Sequence, residues 1–259
     1  MKHLYRTILA GVLVLAAGCN SLDQVPTDRY TDSTFWTSID RAQSVLNMAY
    51  NQMYAQNKIW FDECLSDNLY EMRGNPDSRQ IRTGTATASL GVFESEWKWL
   101  YQGIKTTNVF MDNIDLVPDM DPGTKADMTA QIRFIRAYLY FRAVNFYGAV
   151  PFFLSDISMD ESKVSTRTPK DEIIPQLISE LEAIIPDLPS RDELSAAENG
   201  EITKAAAMVL LARIYLYEGD MQEVADICDE LIHNQGEYGT YSLFNTATDH
   251  CSAYENLFM

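Results

Sequence analysis

The chain has 259 residues, of which 46% are hydrophobic and 11% aromatic, enough apolar material for one sizeable core or two small ones. Its 20 basic and 37 acidic side chains give a formal net charge of -17, which repels phosphate backbones and argues against nucleic-acid binding. The same charge disfavours adsorption to an anionic lipid surface through a basic face. Neutral ligands such as sugars, or a protein partner, suit this surface better.

Residues 1–18 have the pattern of a bacterial lipoprotein signal peptide. A short basic leader precedes an apolar run at residues 8–17, which is too short to span a bilayer as a mature helix. The run ends at Gly18 before Cys19, as in a lipobox, where the cysteine sulfur takes a diacylglyceryl group before cleavage. The pattern predicts a mature chain that is held to the membrane by the lipid on Cys19 alone; an ordinary cleaved signal peptide is the alternative.

The next segment, residues 19–34, is predicted to be an extended, lipidated tether, followed by a helical domain over residues 35–259. Thr37 and Ser38 are candidate N-caps for the first helix of that domain. Its apolar residues recur at helical spacing. They are Ala42, Val45, Leu46, Ala49 and Met53.

Residues 57–93 are less regular and are predicted to form a long loop with at most one short helix. Loops of this length inside a compact domain are uncommon and often functional. Sugars stack their apolar faces on tryptophan or tyrosine, while aspartate, asparagine and arginine bond their hydroxyl groups. The alternative is that the aromatic residues belong to the core and that the polar ones are simply solvated. The candidate ligand-binding residues are Trp60, Asp67, Asn68, Tyr70, Arg73 and, on the following helix, Trp99.

Helical periodicity returns after residue 93 and predicts further helices in chain order. Trp97 is expected in the core, so that Trp99 is the freer of the two tryptophans. Residues 205–217 are nearly all apolar and predict a helix that is buried on most sides. Before it, the apolar stripes consist of Trp97, Tyr101, Ile104, Asn108 and Met111; Ile132, Ile135, Leu139, Ala143 and Phe146; and Ile173, Leu177, Leu181 and Ile184.

The segment 206–220, closed by Gly219 and Asp220, resembles a tetratricopeptide unit. The predicted fold class is therefore all-α, with tetratricopeptide-like helix pairs in a superhelical array and long irregular loops. No alternating strand pattern occurs before residues 239–244. Such repeats bind on exposed surfaces and carry no chemistry of their own.

Candidate catalytic and metal-binding groups are few. The histidines are His3, His233 and His250, and the sequence holds no zincin, nucleophile-elbow, P-loop or dinucleotide-binding motif. We expect His233 to complement a helix C-terminus. Beyond Cys19, the cysteines are odd in number and lack a C-x-x-C pair, which favours buried free thiols over a metal site. No enzyme, metal or cofactor is predicted.

Several short stretches, in order along the mature chain, resemble the SusD/RagB family of Bacteroidetes. The most specific are RAYLYF at 136–141 and FYGAVP at 146–151. The others are Cys19 with LDQVP at 22–26, Phe35-Trp36, LNMAY at 46–50, Glu96-Trp97, LYQGI at 100–104, Thr107-Asn108, Leu188-Pro189, TKAA at 203–206, LAR at 211–213 and Tyr238.

The resemblance implies an outward-facing lipoprotein of the outer membrane that binds oligosaccharides or other nutrients and performs no reaction. It also implies a partner, a SusC-like TonB-dependent transporter, to which the glycan is delivered. Family members are about twice as long, so the domain at 35–259 is expected to be truncated at its C-terminus. A helical-repeat scaffold that binds protein without a sugar site is the alternative, and a lipoprotein glycosidase is a third reading that no motif supports.

Overall fold

A computed structural model describes residues 35–67, 69 and 76–243, except for the side chains of residues 56, 57, 59, 60 and 76. The predicted signal peptide, the lipidation site Cys19 and the tether lie outside the described residues, as does the segment 244–259. Within the described part the chain is all-α, with one isolated antiparallel bridge between Val150 and Thr168. No helix in this part is long and apolar enough to cross a membrane.

Two helix ends, those before residues 114 and 185, are extended by single 3-10 turns, and the longest connection between helices is residues 185–203. In chain order the helices are α1 (Ile39–Met53), α2 (Gln56–Glu63), α3 (Pro76–Arg82), α4 (Gly91–Asn113), α5 (Pro122–Tyr147), α6 (Met159–Val164), α7 (Lys170–Ile184), α8 (Lys204–Glu218), α9 (Met221–His233) and α10 (Gln235–Tyr238).

The core lies between α1, α4, α5, α7 and α8, and the predicted apolar stripes supply most of it. Helices α4 and α5 approach closely at Gly103, where an added Cβ would lie 2.6 Å from Cδ1 of the fully buried Leu139. Asp121 begins α5 as its N-cap by accepting hydrogen bonds from the amides of Gly123 and Thr124, and Gly148 ends it with φ +69°. The close approach at Gly103 thus packs α4 against α5, and the caps determine where α5 begins and ends.

Helices α8 and α9 form the predicted tetratricopeptide-like pair. The Thr203 side chain accepts from the Ala206 amide at 3.3 Å to begin α8, and Gly219 ends it in the left-handed region with φ +85°. Asp220 then begins α9 through its carboxylate and the Glu223 amide. Gly219 and Asp220 therefore form the turn that reverses the chain direction, and α9 packs against α8.

Three sequence predictions need correction. The described part of residues 57–93 contains two short helices and the start of α4, rather than one short helix at most. Phe146 is 50% exposed, because it covers the Arg142 guanidinium 4.9 Å away instead of the core. Cys228 is exposed, although Cys64 is buried as expected and both are free thiols. Helix α8 is buried on most sides, as predicted, and Val209, 57% exposed, lies on the one stripe that is not.

Candidate functional site

The structure brings together only part of the predicted ligand site. Asn68, Tyr70 and Arg73 lie outside the described residues, and only the backbone of Trp60 is described, within α2. Asp67 is exposed just beyond the end of α2. Trp99 lies in the third turn of α4 and is the candidate whose side chain lines a cavity.

The Trp99 pocket is an open cavity of about 280 Å³ between α2, α3 and the first turns of α4. The indole of Trp99 is half-buried, and its Nε1 is shielded from solvent without an acceptor among the described residues. A buried donor that lacks an acceptor costs about 1–3 kcal/mol, so this N–H is an unpaired polar group behind the half-buried face of the indole. The lining residues are Lys58, Phe61, Asp77, Val92, Ser95, Glu96 and Trp99.

A ring of four charged side chains joins α2, α4 and α5, and two of them, Lys58 and Glu96, line the pocket. Lys58 bonds both Glu96 and Asp62, the latter at 2.9 Å. Arg142 closes the ring through its Nε to Glu96 at 2.5 Å and its Nη2 to Asp62 at 2.8 Å. Each cation therefore faces two carboxylates, which compensates for the burial of the group.

Burial alone would raise the pKa of Glu96, but the hydrogen bonds from Arg142 and Lys58 hold that pKa below its ordinary value. For Arg142, burial would lower the pKa, and the bond to Glu96 raises it instead. Both groups are thus charged at neutral pH. Because each Glu96 oxygen already accepts from a cation, the ring positions α2 against α4 and leaves hydroxyl recognition to its rim, including Ser95.

Lys58, Glu96 and Arg142 are absent from the predicted set of ligand-binding residues. They lie 38 and 46 positions apart, so local periodicity does not connect them. The available signal is Glu96 itself, a carboxylate beside the apolar stripe of α4, which indicates that a cation must meet it. Glu96-Trp97 contributes to the resemblance noted above, but nothing in the pair identifies its partners.

A second cavity, of about 400 Å³, opens between α4 and the segment that follows α5. Trp97 forms one wall, with its ring 4.7 Å from that of Tyr101 and 5.1 Å from that of Tyr147. Trp97 is thus partly buried at the edge of the core and lines this separate cavity. The ion pair of Lys105 with Asp156, 2.6 Å apart, lies at its rim.

Buried polar side chains hold the segment that follows α5 in place. Asn108 donates to the carbonyl oxygens of Phe153 and Ser155, at 3.0 and 2.9 Å. Arg136 donates to Asn108 and to the Leu154 carbonyl, at 3.1 and 2.9 Å. Residues from the RAYLYF and LYQGI stretches and from Thr107-Asn108 therefore contact this segment and hold it against α4 and α5.

No group of three or more metal-ligating side chains occurs in the part of the chain that the structure describes. His233 ends α9, as predicted, where its Nδ1 lies 3.0 Å from the Asp229 carbonyl and 3.1 Å from the Asp229 carboxylate. A positively charged imidazole at this position complements the dipole at the C-terminus of α9.

Comparison with known proteins identifies the family. A family model described as starch-binding and associating with the outer membrane, of the SusD-like group, matches residues 20–216. The SusD-like protein P25 of Formosa agariphila is 29% identical over 167 residues, which cover 64% of this chain and 31% of the relative. The starch-binding protein SusD of Bacteroides thetaiotaomicron is 26% identical over 215 residues, 81% of this chain and 34% of that protein.

Solved structures share the fold. A SusD-like carbohydrate-binding protein from Bacteroides fragilis superposes with a TM-score of 0.70 at 25% identity, over 77% of this chain and 41% of that one. A second SusD-like protein from the same species gives a TM-score of 0.71 at 22% identity, over 86% and 43%. The chain spans about a third to a half of the length of the curated relatives it matches. On the match to residues 20–216 and the shared helical fold, the chain belongs to the SusD-like family.

Proposed function

We propose that this protein binds glycans at the cell surface through the Trp99 pocket and delivers them to a SusC-like TonB-dependent transporter of the outer membrane. It is anchored there, facing outward, by the lipid on Cys19. The observation that carries the proposal is the half-buried indole of Trp99, which lines an open pocket together with polar and charged side chains. A pyranose ring can stack on such an indole while its hydroxyl groups bond the polar rim.

The relatives support the same ligand class. The family description, the name of the Bacteroides thetaiotaomicron relative and that of the 25% identical structure refer to starch or carbohydrate binding. None of these descriptions names a reaction. We therefore propose that the protein is a binding protein and that its glycan leaves unchanged.

Calorimetric titration of the full chain with starch and laminarin oligosaccharides tests the pocket. We expect a saturable signal with at least one of them, a loss of affinity of about tenfold or more in Trp99→Ala, and a smaller loss in Trp99→Phe, because stacking by an aromatic residue contributes about 1–3 kcal/mol. Trp97→Phe, in the second cavity, is the matched control and should bind as the native chain does. Unchanged affinity in Trp99→Ala would remove the pocket from the proposal.

The transporter partnership needs a separate experiment. The tagged, lipidated protein is pulled down from native outer membranes solubilised in a mild detergent, and a large β-barrel should copurify in a fixed ratio. Recovery of a folded protein without a barrel would favour the other candidate, a helical-repeat scaffold. The exposed apolar residues of α8, Val209, Leu216 and Tyr217, are the observation that favours that candidate.

A further inference from the structure

The cavity that Trp97 lines is a second candidate ligand site, and it shares no residue with the Trp99 pocket. Its volume of about 400 Å³ lies within the range of small-molecule sites, about 300–1,000 Å³. One wall is a stripe of α4, and the other is formed by residues from the range 151–165, which includes α6. The two cavities can therefore hold different ligands.

One end of this cavity is apolar and aromatic. Trp97, Tyr101 and Ile104 supply the α4 wall there, and Phe153 belongs to the other wall. The Tyr101 hydroxyl donates to the Pro151 carbonyl oxygen at 2.7 Å, so that this residue offers a ligand its ring. A bulky apolar group that entered this end would exchange water for aromatic and aliphatic neighbours, which the hydrophobic effect favours.

The other end carries one ammonium group and one carboxylate. Lys105 follows Trp97 by eight residues, which corresponds to about 12 Å along the helix axis. Its Nζ lies 2.6 Å from Oδ1 of Asp156, and these are the two charged residues of the lining. The lining is thus neutral overall in a chain with a formal net charge of -17, which favours a ligand that carries both signs of charge or none.

The charged end has hydrogen-bonding capacity that the fold does not use. An ammonium group has three N–H donors, and one of those on Lys105 bonds Asp156. Among the described residues, Oδ2 of Asp156 and the hydroxyl group of Ser155 have no hydrogen-bond partner. A ligand with its own ammonium and carboxylate groups can therefore bond both members of the pair without separating them.

A sugar fits this cavity less well than the Trp99 pocket. The Trp97 ring is flanked by the Tyr101 ring, 4.7 Å away between centres, and by the Arg167 guanidinium, 5.7 Å from its centre. Little of its face is left for a pyranose to stack on. Most serine hydroxyl groups of the lining already donate to oxygen atoms of the chain, and these belong to Ser158, Ser162 and Ser165. An apolar side chain needs neither a free ring face nor a free hydroxyl group.

We propose that this cavity binds a zwitterionic amino acid with a large apolar side chain. That side chain lies against Trp97 and Tyr101, the α-carboxylate accepts from Lys105, and the α-ammonium group donates to Asp156. Helix α6, which buries none of its own residues, covers the site. The proposal goes beyond glycan binding and does not depend on the Trp99 pocket.

Titration of the full chain with para-fluoro-L-phenylalanine, followed by ¹⁹F NMR, tests the proposal. We expect saturable binding, and several-fold weaker binding of two analogues of which one lacks the carboxylate and the other the ammonium group. Ser162→Phe, which brings a ring into the cavity from α6, should weaken binding about tenfold or more, because the ligand ring is no longer buried.

Val164→Phe is the matched control, because Val164 is a highly exposed residue of α6 outside the lining, and this variant should bind as the native chain does. Both α6 variants should keep the oligosaccharide affinity of the native chain. A failure of the amino-acid site is thereby distinguished from a failure of the glycan site.

Asp156→Asn supplies an independent measurement. It should weaken binding of the amino acid several-fold and strengthen binding of the analogue that lacks the ammonium group, because Lys105 then keeps its charge without its carboxylate partner. The proposal would be overturned by an absence of saturable binding to the native chain or by equal affinities for the amino acid and both analogues. Equal binding by Ser162→Phe and Val164→Phe would also overturn it.

Discussion

Replacing Glu96 with glutamine tests the charge ring that holds α2 against α4 and α5. The side chain is only 7% exposed and accepts from both Lys58 and Arg142. Glu96→Gln keeps the shape of the side chain but leaves Lys58 and Arg142 with Asp62 as their one remaining carboxylate. Removing one partner of a buried ion pair costs about 3–5 kcal/mol, and we expect about 2–3 kcal/mol here because solvent reaches 14–16% of the other three side chains.

Urea and thermal unfolding measure this loss, which corresponds to a fall in melting temperature of about 4–12 °C for a domain of this size. Glu94→Gln is the matched control, because the Glu94–Lys98 pair on the same helix is 71% exposed at both ends and should contribute nothing measurable. Equal stability of the two variants would refute the view that the ring holds these helices together.

The pH dependence supplies a second check with a definite sign. The folded pKa of Glu96 lies below its ordinary value of 4.5, so its stabilisation is complete above that pH and is lost as the pH falls through the folded pKa. The difference in free energy of unfolding between the native chain and Glu96→Gln should therefore be constant near neutral pH and shrink in acid. A difference that grew in acid would contradict the assignment.

Three further substitutions probe other contacts. Tyr50→Phe should lower the free energy of unfolding in urea by about 1–3 kcal/mol, because the Ile202 amide, 2.8 Å from the hydroxyl, loses its acceptor. Asp127→Asn should raise the free energy of unfolding at pH 7, since burial raises the pKa of Asp127 and its Oδ1 has no donor. The gain should vanish in acid as the native carboxyl is protonated. Gly239→Ala should speed hydrogen exchange of the Thr240 amide, because its Cβ would lie 2.9 Å from the Arg191 nitrogen at φ +110°.

Controls separate these effects from general disturbance. Gly236→Ala, with no atom within 4 Å of the added Cβ, should leave the Thr240 exchange rate unchanged. If Tyr50→Phe unfolds as the native chain does, its hydroxyl contributes nothing to the connection between α1 and the segment before α8. A gain in Asp127→Asn that persisted at low pH would show that the carboxylate charge is not its cause.

The helices could be predicted because their apolar residues recur at the helical repeat. All four predicted core residues of α7, Ile173, Leu177, Leu181 and Ile184, are fully buried. The turn between α8 and α9 was equally accessible from sequence, since Gly219 provides the left-handed residue that ends the first helix.

Other features depend on pairings that no local pattern encodes. Helix α2 has little amphipathic pattern, and its Lys58 and Asp62 bond each other and join the ring across to Glu96. Helix α3 begins at a proline, which favours a first helical turn, and carries Arg79 and Arg82 in its last turn, where they complement the helix dipole. The proposed ligand site was harder to predict, because it depends on which side chains of distant helices meet around Trp99.

The most direct test of the glycan-binding proposal is a titration of the ¹⁵N-labelled chain followed through its indole N–H signals. The sequence has four tryptophans, so Trp99 can be assigned by comparison with Trp99→Phe, and the core residue Trp36 serves as an internal reference. Addition of a bound oligosaccharide should shift the Trp99 signal, as a sugar ring stacks on the indole, and leave that of Trp36 in place. If the oligosaccharide binds while the Trp99 signal stays unmoved, the glycan site lies elsewhere and the account is wrong.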